Sequence, residues 1–292
     1  MDTKITIFTP TYNRGYIIDH LYQSLLRQTS MEFEWVVIDD GSTDDTESYF
    51  QTIMQNENPF YITYQKQANG GKHRAINKGV SLAKGELFFI VDSDDYLLDD
   101  AIEKVLEWRK SLDGSHKWAG VSGVRGYTAN EYIGGVYQKT KYIDAKNTER
   151  KKYNLFGDKA EVYFTDVLKR YPFPEIEGEN FLTEEVVWNA IACDGYYLRW
   201  FSDIIYITEY LEDGLTRNNS RNIKNPKGFL IWARGQLKAF PFDIKERVYA
   251  IMGYYLLVEG QKDTKEIAEE LGVSPVTVCI LIIIWKLKKW IK

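Results

Sequence analysis

The chain has 292 residues, which is long enough for one large domain or two smaller ones with a substantial core. Lysine and arginine total 37 against 42 for aspartate and glutamate, and this net charge of −5 excludes the basic surface of a general nucleic-acid-binding protein. With two cysteines, Cys193 and Cys279, and no signal-peptide pattern at the start, we expect a cytosolic protein without a disulfide framework.

The first hundred residues alternate runs of Val, Ile and Phe with helical patterns, which is typical of βαβ units with helices on both faces of a sheet. An apolar stripe predicts a helix near 17–26, Ser42 or Thr43 can cap a second, and a third is expected over 72–83 with Gly85 as its C-cap. Four strands are expected, at Ile5–Thr9, Phe33–Ile38, Tyr61–Tyr64 and Glu86–Val91.

Polar residues follow three of these four strands. The clusters are PTYNR at 10–14, DDGS at 39–42 and DSDD at 92–95. Because the carboxyl ends of strands in an open α/β sheet form its ligand crevice, the three clusters are expected to converge on one site. A single acidic loop could be a solvated turn, but three at corresponding strand ends indicate a binding site.

Three longer stretches, taken in order and at their spacing, carry a family resemblance. They are TPTYNR at 9–14, WVVIDDGSTDDT at 35–46 and GGKHRAINKGVSLAKGELFFIVDSDD at 70–95. Together they resemble the nucleotide-sugar-binding half of a family 2 inverting glycosyltransferase with the GT-A fold, of the kind acting in bacterial capsular, exopolysaccharide or cell-wall glycan synthesis. The resemblance is clear over residues 5–98 and weaker to about 216. It implies an α/β fold, with a Rossmann-like mixed sheet flanked by helices.

The resemblance also implies a metal and donor site at these strand ends. Asp94 would be the most direct ligand of Mn²⁺ or Mg²⁺, with Asp92 sharing the metal or lying nearer the ribose, since a leaving diphosphate needs a carboxylate-held cation. Lys72 and Arg74, at a helix start, are placed to meet phosphate, although Lys72 could also be a solvated lysine. The residues assigned to the nucleotide sugar are Thr9, Pro10, Tyr12, Arg14, Asp39, Asp40, Lys72, Arg74, Asp92 and Ser93. Which of Asp39 and Asp40 reads the base is left open.

The middle of the chain is less regular. Residues 127–160 have poor periodicity and suggest a hairpin or ordered loop that could shape an acceptor cleft. Related enzymes have a loop that closes over the donor diphosphate, and Thr216 and Arg217 could serve there. A helix is expected over 99–109 and strands at 118–125, 162–164, 197–201 and 204–210.

An acidic pair opens a further predicted helix, with Thr183 as its cap. Two carboxylates in a first turn suit the helix dipole without any other function. In the resembled family this place holds an acidic pair, usually Glu-Asp, whose second member takes the acceptor proton. The resemblance therefore implies Glu185 as the base, one methylene longer than Asp, with Glu184 as its rival. Trp188 could stack on an acceptor sugar or belong to the core.

The residues from about 225 predict helices only, beginning with Pro226 at a first turn. Residues 264–278 resemble a helix-turn-helix with Gly272 at the turn. This opens a rival function, a DNA-binding regulator with a nucleotide-sugar-sensing domain, but the second helix is too apolar for a major groove. The apolar run at 279–285, followed by four lysines, is shorter than the roughly 18 residues that span a bilayer. It suits a membrane surface, while a buried helix or an oligomer contact are the alternatives.

The resemblance implies a GT-A catalytic domain over 1–220, with a nucleotide-sugar-binding half at 1–98 and an acceptor-side half at 99–220, and the helical pattern beyond it predicts a C-terminal extension at 221–292. The reaction that the resemblance implies is metal-dependent transfer, with inversion, of a hexosyl or N-acetylhexosaminyl unit from a UDP-sugar to a hydroxyl of a glycan or lipid-linked oligosaccharide. The expected location is the cytoplasm, with the basic C-terminal helix as a contact to the inner face of the plasma membrane or to a second copy.

Overall fold

A computed structural model describes residues 3–209 and 221–290 and shows, within them, one mixed sheet of ten strands. The strands are β1 (Ile5–Thr11), β2 (Phe33–Asp39), β3 (Tyr61–Lys66), β4 (Leu87–Ile90), β5 (Tyr96–Leu97), β6 (Trp118–Thr128), β7 (Glu131–Tyr132), β8 (Tyr142–Ala145), β9 (Lys159–Phe164) and β10 (Tyr197–Ile207). The helices are α1 (Asp19–Leu26), α2 (Thr46–Ile53), α3 (Lys72–Leu82), α4 (Ala101–Lys110), α5 (Thr165–Arg170), α6 (Glu185–Cys193), α7 (Arg221–Lys224), α8 (Pro226–Ala239), α9 (Ile244–Val258), α10 (Thr264–Leu271) and α11 (Pro275–Trp290). A 3₁₀ helix covers Asn147–Tyr153.

The main path of the sheet runs β3-β2-β1-β4-β9-β6-β10-β5, with β7 on β6 and β8 on β10. The first four strands pair in parallel, whereas β9 lies antiparallel between β4 and β6. The carboxyl ends of β1, β2 and β4 therefore meet at one edge, which is the edge where the sequence has its polar clusters. The predicted mixed α/β sheet with flanking helices is confirmed.

Alternation along the buried strands divides the core into two layers. On β1, Ile5 and Ile7 pack with Trp35 in one layer, while Phe8 packs with Val36 in the other. Successive side chains of a strand point to opposite faces, so a strand buried on both sides reads as a continuous apolar run. The close approach of α3 to β1 depends on Gly79, because a Cβ there would lie 2.2 Å from the Phe8 ring.

Three predicted boundaries were wrong. The helix α2 begins at Thr46, whose backbone N–H donates to Asp44 Oδ1, so neither Ser42 nor Thr43 caps it. The helix α3 ends at Leu82, and Gly85 instead lies where a Cβ would be 2.4 Å from the backbone nitrogen of Thr6. The strands expected at 197–201 and 204–210 form one strand, β10, with a register shift between Trp200 and Ile204.

The helices α8 to α11 share a third hydrophobic cluster, which includes Ala250, Tyr254 and Ile267. Gly272 ends α10 in the left-handed conformation, with φ 66°, at the expected turn. Among the described residues no single helix is long and apolar enough to cross a membrane. By length and composition alone, α10 and α11 together would suffice, but they are bent by 119° where they meet. The domain boundary at residue 220 stays a prediction, because residues 210–220 lie outside the described part of the chain.

Candidate active site

The acidic turn after β4 is anchored to β10 by a tyrosine. The Tyr206 hydroxyl donates to Asp95 Oδ2 at 2.6 Å and accepts from the Asp92 backbone N–H at 3.0 Å. The Glu209 backbone N–H donates to Asp95 Oδ1 at 2.9 Å. Asp95 is 3% exposed, so this carboxylate supports the turn from within, and Asp94 is left on the side that faces Arg14.

Two cations hold the carboxylates together. Lys72 Nζ, in the first turn of α3, lies 2.6 Å from Asp92 Oδ1 and 2.8 Å from Glu184 Oε1. Arg125 Nη1 lies 3.4 Å from Asp92 Oδ2 and 3.6 Å from Asp95 Oδ2. The Arg125 guanidinium also covers the Tyr206 ring at 4.1 Å. Residues from α3, β4, β6, β10 and the start of α6 thus meet in one charged cluster.

These ion pairs give the carboxylates of the cluster different pKa values. Burial by itself would raise the pKa of Asp92, but Lys72 and Arg125 lower it to about 2. The pKa of Glu184 is also lowered, since Lys72 outweighs the effect of burial. Burial and the Asp92 charge raise the pKa of Asp95 to about 7, and the same two causes raise that of Asp94. Asp92 and Glu184 are therefore ionised at neutral pH and committed to cations.

The donor set suits a cation that completes its coordination with substrate. Among the described residues, no three Asp, Glu, His or Cys side chains are arranged to hold a metal by themselves. Mg²⁺ in nucleotide enzymes is commonly held by one or two carboxylates plus phosphate oxygens and water. Asp94 Oδ2 lies 3.9 Å from Arg14 Nε, beyond hydrogen-bond distance, and Asp94 sits two residues from Asp92. Both Asp92 oxygens already lie near cations, so Asp94 is the carboxylate of this turn that best fits a metal of this kind, with Asp92 beside it.

Asp39, the last residue of β2, and Asp40, which follows it, both accept hydrogen bonds from neighbouring loops. Asp39 accepts from the Ser42 backbone N–H at 2.7 Å and from the Tyr64 hydroxyl. Asp40 accepts from the backbone N–H groups of Gly70 at 2.9 Å and Gly71 at 2.7 Å. Asp40 therefore holds the glycine turn that leads into α3, and this turn sets the position of Lys72 at the start of the helix.

Gly71 is required for this turn. Its φ is +95°, and a Cβ on it would lie 1.8 Å from the Asn180 carbonyl oxygen. Arg74 braces the same contact, because its guanidinium donates to the carbonyl oxygens of Ile176 at 2.6 Å and Glu179 at 2.8 Å. Arg74 therefore binds backbone carbonyl oxygens, whereas Lys72 joins the carboxylate cluster.

The remaining predicted donor residues line the ends of β1 and β4. Thr9 is buried and accepts from Trp35 Nε1 at 2.9 Å, so its hydroxyl belongs to the core. Tyr12 presents a ring that is 48% exposed, as a stacking surface requires. Pro10 pairs with Ile38 in the β1–β2 ladder, and Ser93 is buried within the acidic turn.

The adjacent glutamates at the start of α6 point to different places. Glu184, which is also the N-cap residue in place of Thr183, faces Lys72. Glu185 Oε2 accepts from Trp232 Nε1 at 2.8 Å, and its Oε1 lies 3.4 Å from Asn189 Nδ2. Glu185 therefore faces the C-terminal helices and is not brought together with the acidic turn.

Trp188 is partly buried and packs against the core. Its ring stacks on Tyr163 at a centroid distance of 4.2 Å and meets Phe173 edge-on at 5.9 Å. One face of the Trp188 ring is therefore covered by Tyr163. Thr216 and Arg217, expected in a loop over the donor, lie outside the described residues.

Sequence reasoning missed Arg125, Tyr206 and Trp232. A signal existed for Arg125, because a charged residue in the otherwise apolar strand at 118–125 has to be paired when it is buried. Tyr206 and Trp232 lie in apolar patterns that predict core positions, and nothing in their sequence neighbourhood distinguishes them.

The family model described as Glycosyl transferase family 2 matches residues 6–169. Glycosyltransferase GlyG of Streptococcus pneumoniae serotype 4 is 34% identical over 113 residues, which is 39% of this chain and 37% of GlyG. GalNAc(5)-diNAcBac-PP-undecaprenol beta-1,3-glucosyltransferase of Campylobacter jejuni is 26% identical over 229 residues, 75% of this chain and 69% of that protein. The match thus spans little more than a third of GlyG.

Two solved structures share the fold. S. aureus TarS 1–349 in complex with UDP-GlcNAc has a TM-score of 0.61 and 20% identity, covering 88% of this chain and 82% of TarS 1–349. The mannosyltransferase PcManGT of Pyrobaculum calidifontis, in complex with GDP-Man and Mn²⁺, has a TM-score of 0.55 and 16% identity, covering 98% and 80%. The expected GT-A type of fold is confirmed.

Removing the partly buried Arg125 cation should destabilise the protein. Arg125→Met leaves Asp92 and Asp95 without this partner, and we expect the free energy of unfolding in EDTA to fall by about 3 kcal/mol. Without the cation the pKa of Asp95 rises further, and a carboxyl with a raised folded-state pKa loses stability as pH rises. The loss in the free energy of unfolding, measured by urea denaturation, should therefore be larger at pH 8 than at pH 5.

Arg109→Met is the matched control, because Arg109 pairs with Glu86 on the exposed surface. Arg109→Met should lower the free energy of unfolding by no more than about 1 kcal/mol at both pH values. Equal deficits for Arg125→Met at pH 5 and pH 8 would contradict the role given to the buried charges.

Proposed function

The chain belongs to glycosyl transferase family 2 and is a glycosyltransferase, and on that basis we propose the following reaction. The protein transfers a hexosyl or N-acetylhexosaminyl unit from a UDP-sugar, with inversion, to a hydroxyl of a glycan or lipid-linked oligosaccharide. The observation that carries the proposal is the cluster in which Lys72, at a helix start, meets the carboxylates of Asp92 and Glu184. TarS, which has the same fold, is known in complex with UDP-GlcNAc, and the Campylobacter relative is named for an undecaprenol-linked acceptor.

The donor would lie at the carboxyl ends of β1, β2 and β4. Lys72 and the first N–H groups of α3 are positive, so they suit a diphosphate. The exposed ring of Tyr12 is available to stack on the base. The glycine turn pinned by Asp40 positions these groups before the substrate arrives.

Asp94 and Asp92 would hold a divalent cation, Mn²⁺ or Mg²⁺, and PcManGT with the same fold is known with Mn²⁺. When bound, such an ion neutralises charge that develops on the leaving diphosphate. Arg14, 3.9 Å from Asp94, adds positive charge beside it. Arg125 and Tyr206 keep the acidic turn in one conformation, so that Asp94 is presented without rearrangement.

Glu185 is the base in this proposal. An inverting transfer needs a carboxylate on the acceptor side, which takes the hydroxyl proton as the oxygen attacks C1 opposite the leaving group. Glu184 is ion-paired to Lys72 and has a lowered pKa, which makes it the weaker proton acceptor. Glu185 receives its hydrogen bond from the neutral Trp232 and lines a cavity.

The membrane contact is proposed for one face of α11. Its exposed residues recur at helical spacing: Val276, Ile280, Ile283, Ile284 and Leu287. Val278 and Ile282 on the other side are buried in the C-terminal cluster. Lys286 and the following lysines of the sequence complement an anionic lipid surface. Such an apolar face does not suit the phosphates of DNA, so the regulator hypothesis gains no support.

The donor and metal proposal is tested by calorimetry with UDP-, GDP- and dTDP-sugars, in Mn²⁺ and in EDTA. We expect one UDP-sugar to bind, at least about tenfold more weakly in EDTA and in Asp94→Asn, because the diphosphate charge is then less well neutralised. Asp113→Asn, in the exposed turn before β6, is the control and should bind as the wild type does. Binding that is equal with and without metal would remove the metal from the proposal.

The base is tested by comparing Glu185→Gln with Glu184→Gln. Glutamine cannot accept the proton, so Glu185→Gln should lower kcat by about 10²–10⁴ while donor affinity is unchanged. Glu184→Gln removes a partner of Lys72 and should change donor affinity instead. UDP release is followed with a panel of aryl glycoside and polyprenyl-diphosphate-sugar acceptors. The reverse pattern would make Glu184 the base.

The membrane contact is tested by co-sedimentation with phosphatidylcholine vesicles that contain phosphatidylglycerol. Ile280→Asp with Ile283→Asp places two charges on the exposed face, and we expect vesicle binding to be lost. Leu256→Asp, an exposed apolar site on α9, serves as the control and should still sediment. Unchanged sedimentation of the double variant, or equal binding to neutral vesicles, would contradict the proposal.

A further inference from the structure

A cavity of about 260 Å³ lies between the start of α6 and the C-terminal helices α8 and α9. Thr183 and Glu185 line it on one side, and Phe229, Trp232 and Tyr249 line it on the other. Its size is below the 300–1,000 Å³ of most drug-sized ligand pockets. The lining combines aromatic surface with a carboxylate and a hydroxyl, which are the groups that recognise a sugar ring.

The wall supplied by α8 is rigidly attached to the segment that leads into α6. The Glu179 carboxylate accepts from the backbone N–H groups of Lys227 at 2.9 Å and Gly228 at 2.7 Å, which caps the start of α8. Asn225 Oδ1 accepts from the backbone of Asn180 at 2.8 Å. These hydrogen bonds attach the start of α8 to the segment that precedes Glu185.

Glu185 is oriented by two neutral donors. Trp232 Nε1 donates to Oε2 at 2.8 Å, and Asn189 Nδ2 approaches Oε1 at 3.4 Å. The amide of Asn189 is itself fixed, because its Oδ1 accepts from Asn147 Nδ2 at 2.8 Å. Neutral donors aim a carboxylate without neutralising it, whereas Lys72 neutralises Glu184.

We propose that this cavity is a subsite for one pyranose ring of the acceptor, and that Trp232 is a positioning residue for Glu185. The inference rests on the proposed function, and it deepens that function by making the C-terminal helices one wall of the acceptor site. Trp232 holds the Glu185 carboxylate toward the cavity, and the rings of Phe229 and Tyr249 pack on the C–H face of the sugar. Donor binding and acceptor use then depend on different parts of the chain.

Trp232→Phe removes the N–H donor and keeps an aromatic ring. We expect unchanged affinity for the UDP-sugar and a fall in kcat of about tenfold, because a hydrogen bond to a charged group is lost. The acceptor KM should change little, because the aromatic wall of the cavity is kept. A merely structural loss would weaken donor binding as well, so a fall in kcat alone indicates that the Glu185 carboxylate is no longer positioned. Trp285→Phe, on α11 beside Tyr255, is the control and should leave kcat unchanged.

Tyr249→Leu tests the cavity independently of Trp232. The probes are methyl glycosides of glucose, galactose, GlcNAc and GalNAc, with binding followed by saturation-transfer NMR. The wild type should bind at least one of them in the millimolar range, and Tyr249→Leu should weaken that binding and raise the acceptor KM. Equal donor affinity in both proteins shows that the variant is folded.

The outcomes separate this inference from the proposed function. If the wild type transfers sugar but Trp232→Phe keeps the wild-type kcat, the positioning role is overturned and the function stands. If the wild type transfers sugar but none of the four glycosides binds, or Tyr249→Leu binds them equally well, the subsite is overturned. If the wild type neither binds a UDP-sugar nor transfers it, the proposed function itself fails.

Discussion

The candidate site depends on one partly buried ammonium group, that of Lys72. A carboxylate that leaves water is stable only when it is paired, and here Asp92 from the end of β4 and Glu184 from the start of α6 share the same cation. These residues are far apart in the chain, so the ion pairs connect the first hundred residues to the segment at the start of α6. The position of Lys72 is in turn set by Gly71, whose backbone passes too close to Asn180 for any side chain.

Around this cation the protein separates carboxylates by environment. Asp92 and Glu184 are kept ionised by Lys72, while burial and a charged neighbour raise the pKa of Asp94 and Asp95. The Asp95 carboxylate accepts from Tyr206 inside the protein, whereas Asp94 lies on the side that faces Arg14. The carboxylates of one acidic turn of four residues thus differ in acidity, because each meets different neighbours.

The adjacent residues Glu184 and Glu185 show how the start of a helix directs two similar side chains to different partners. Successive residues of an α-helix point about 100° apart, since the helix has 3.6 residues per turn. When Glu184 is drawn to Lys72, Glu185 is turned toward α8 and Trp232. The C-terminal helices therefore complete the surroundings of the proposed base, although their core is separate from the two layers around the sheet.

The sequence by itself determined the α/β order, the strands of the first hundred residues, the polar clusters at their ends and the family. These follow from local periodicity and from motifs whose residues are close in the chain. Tertiary structure alone decided that Arg125 and Tyr206 brace the acidic turn, that Arg74 binds backbone carbonyls and that Trp188 stacks on Tyr163. It also decided that Glu185 faces Trp232, 47 residues away. Each of these depends on which distant side chain satisfies a buried polar or aromatic group, and local sequence carries no record of that partner.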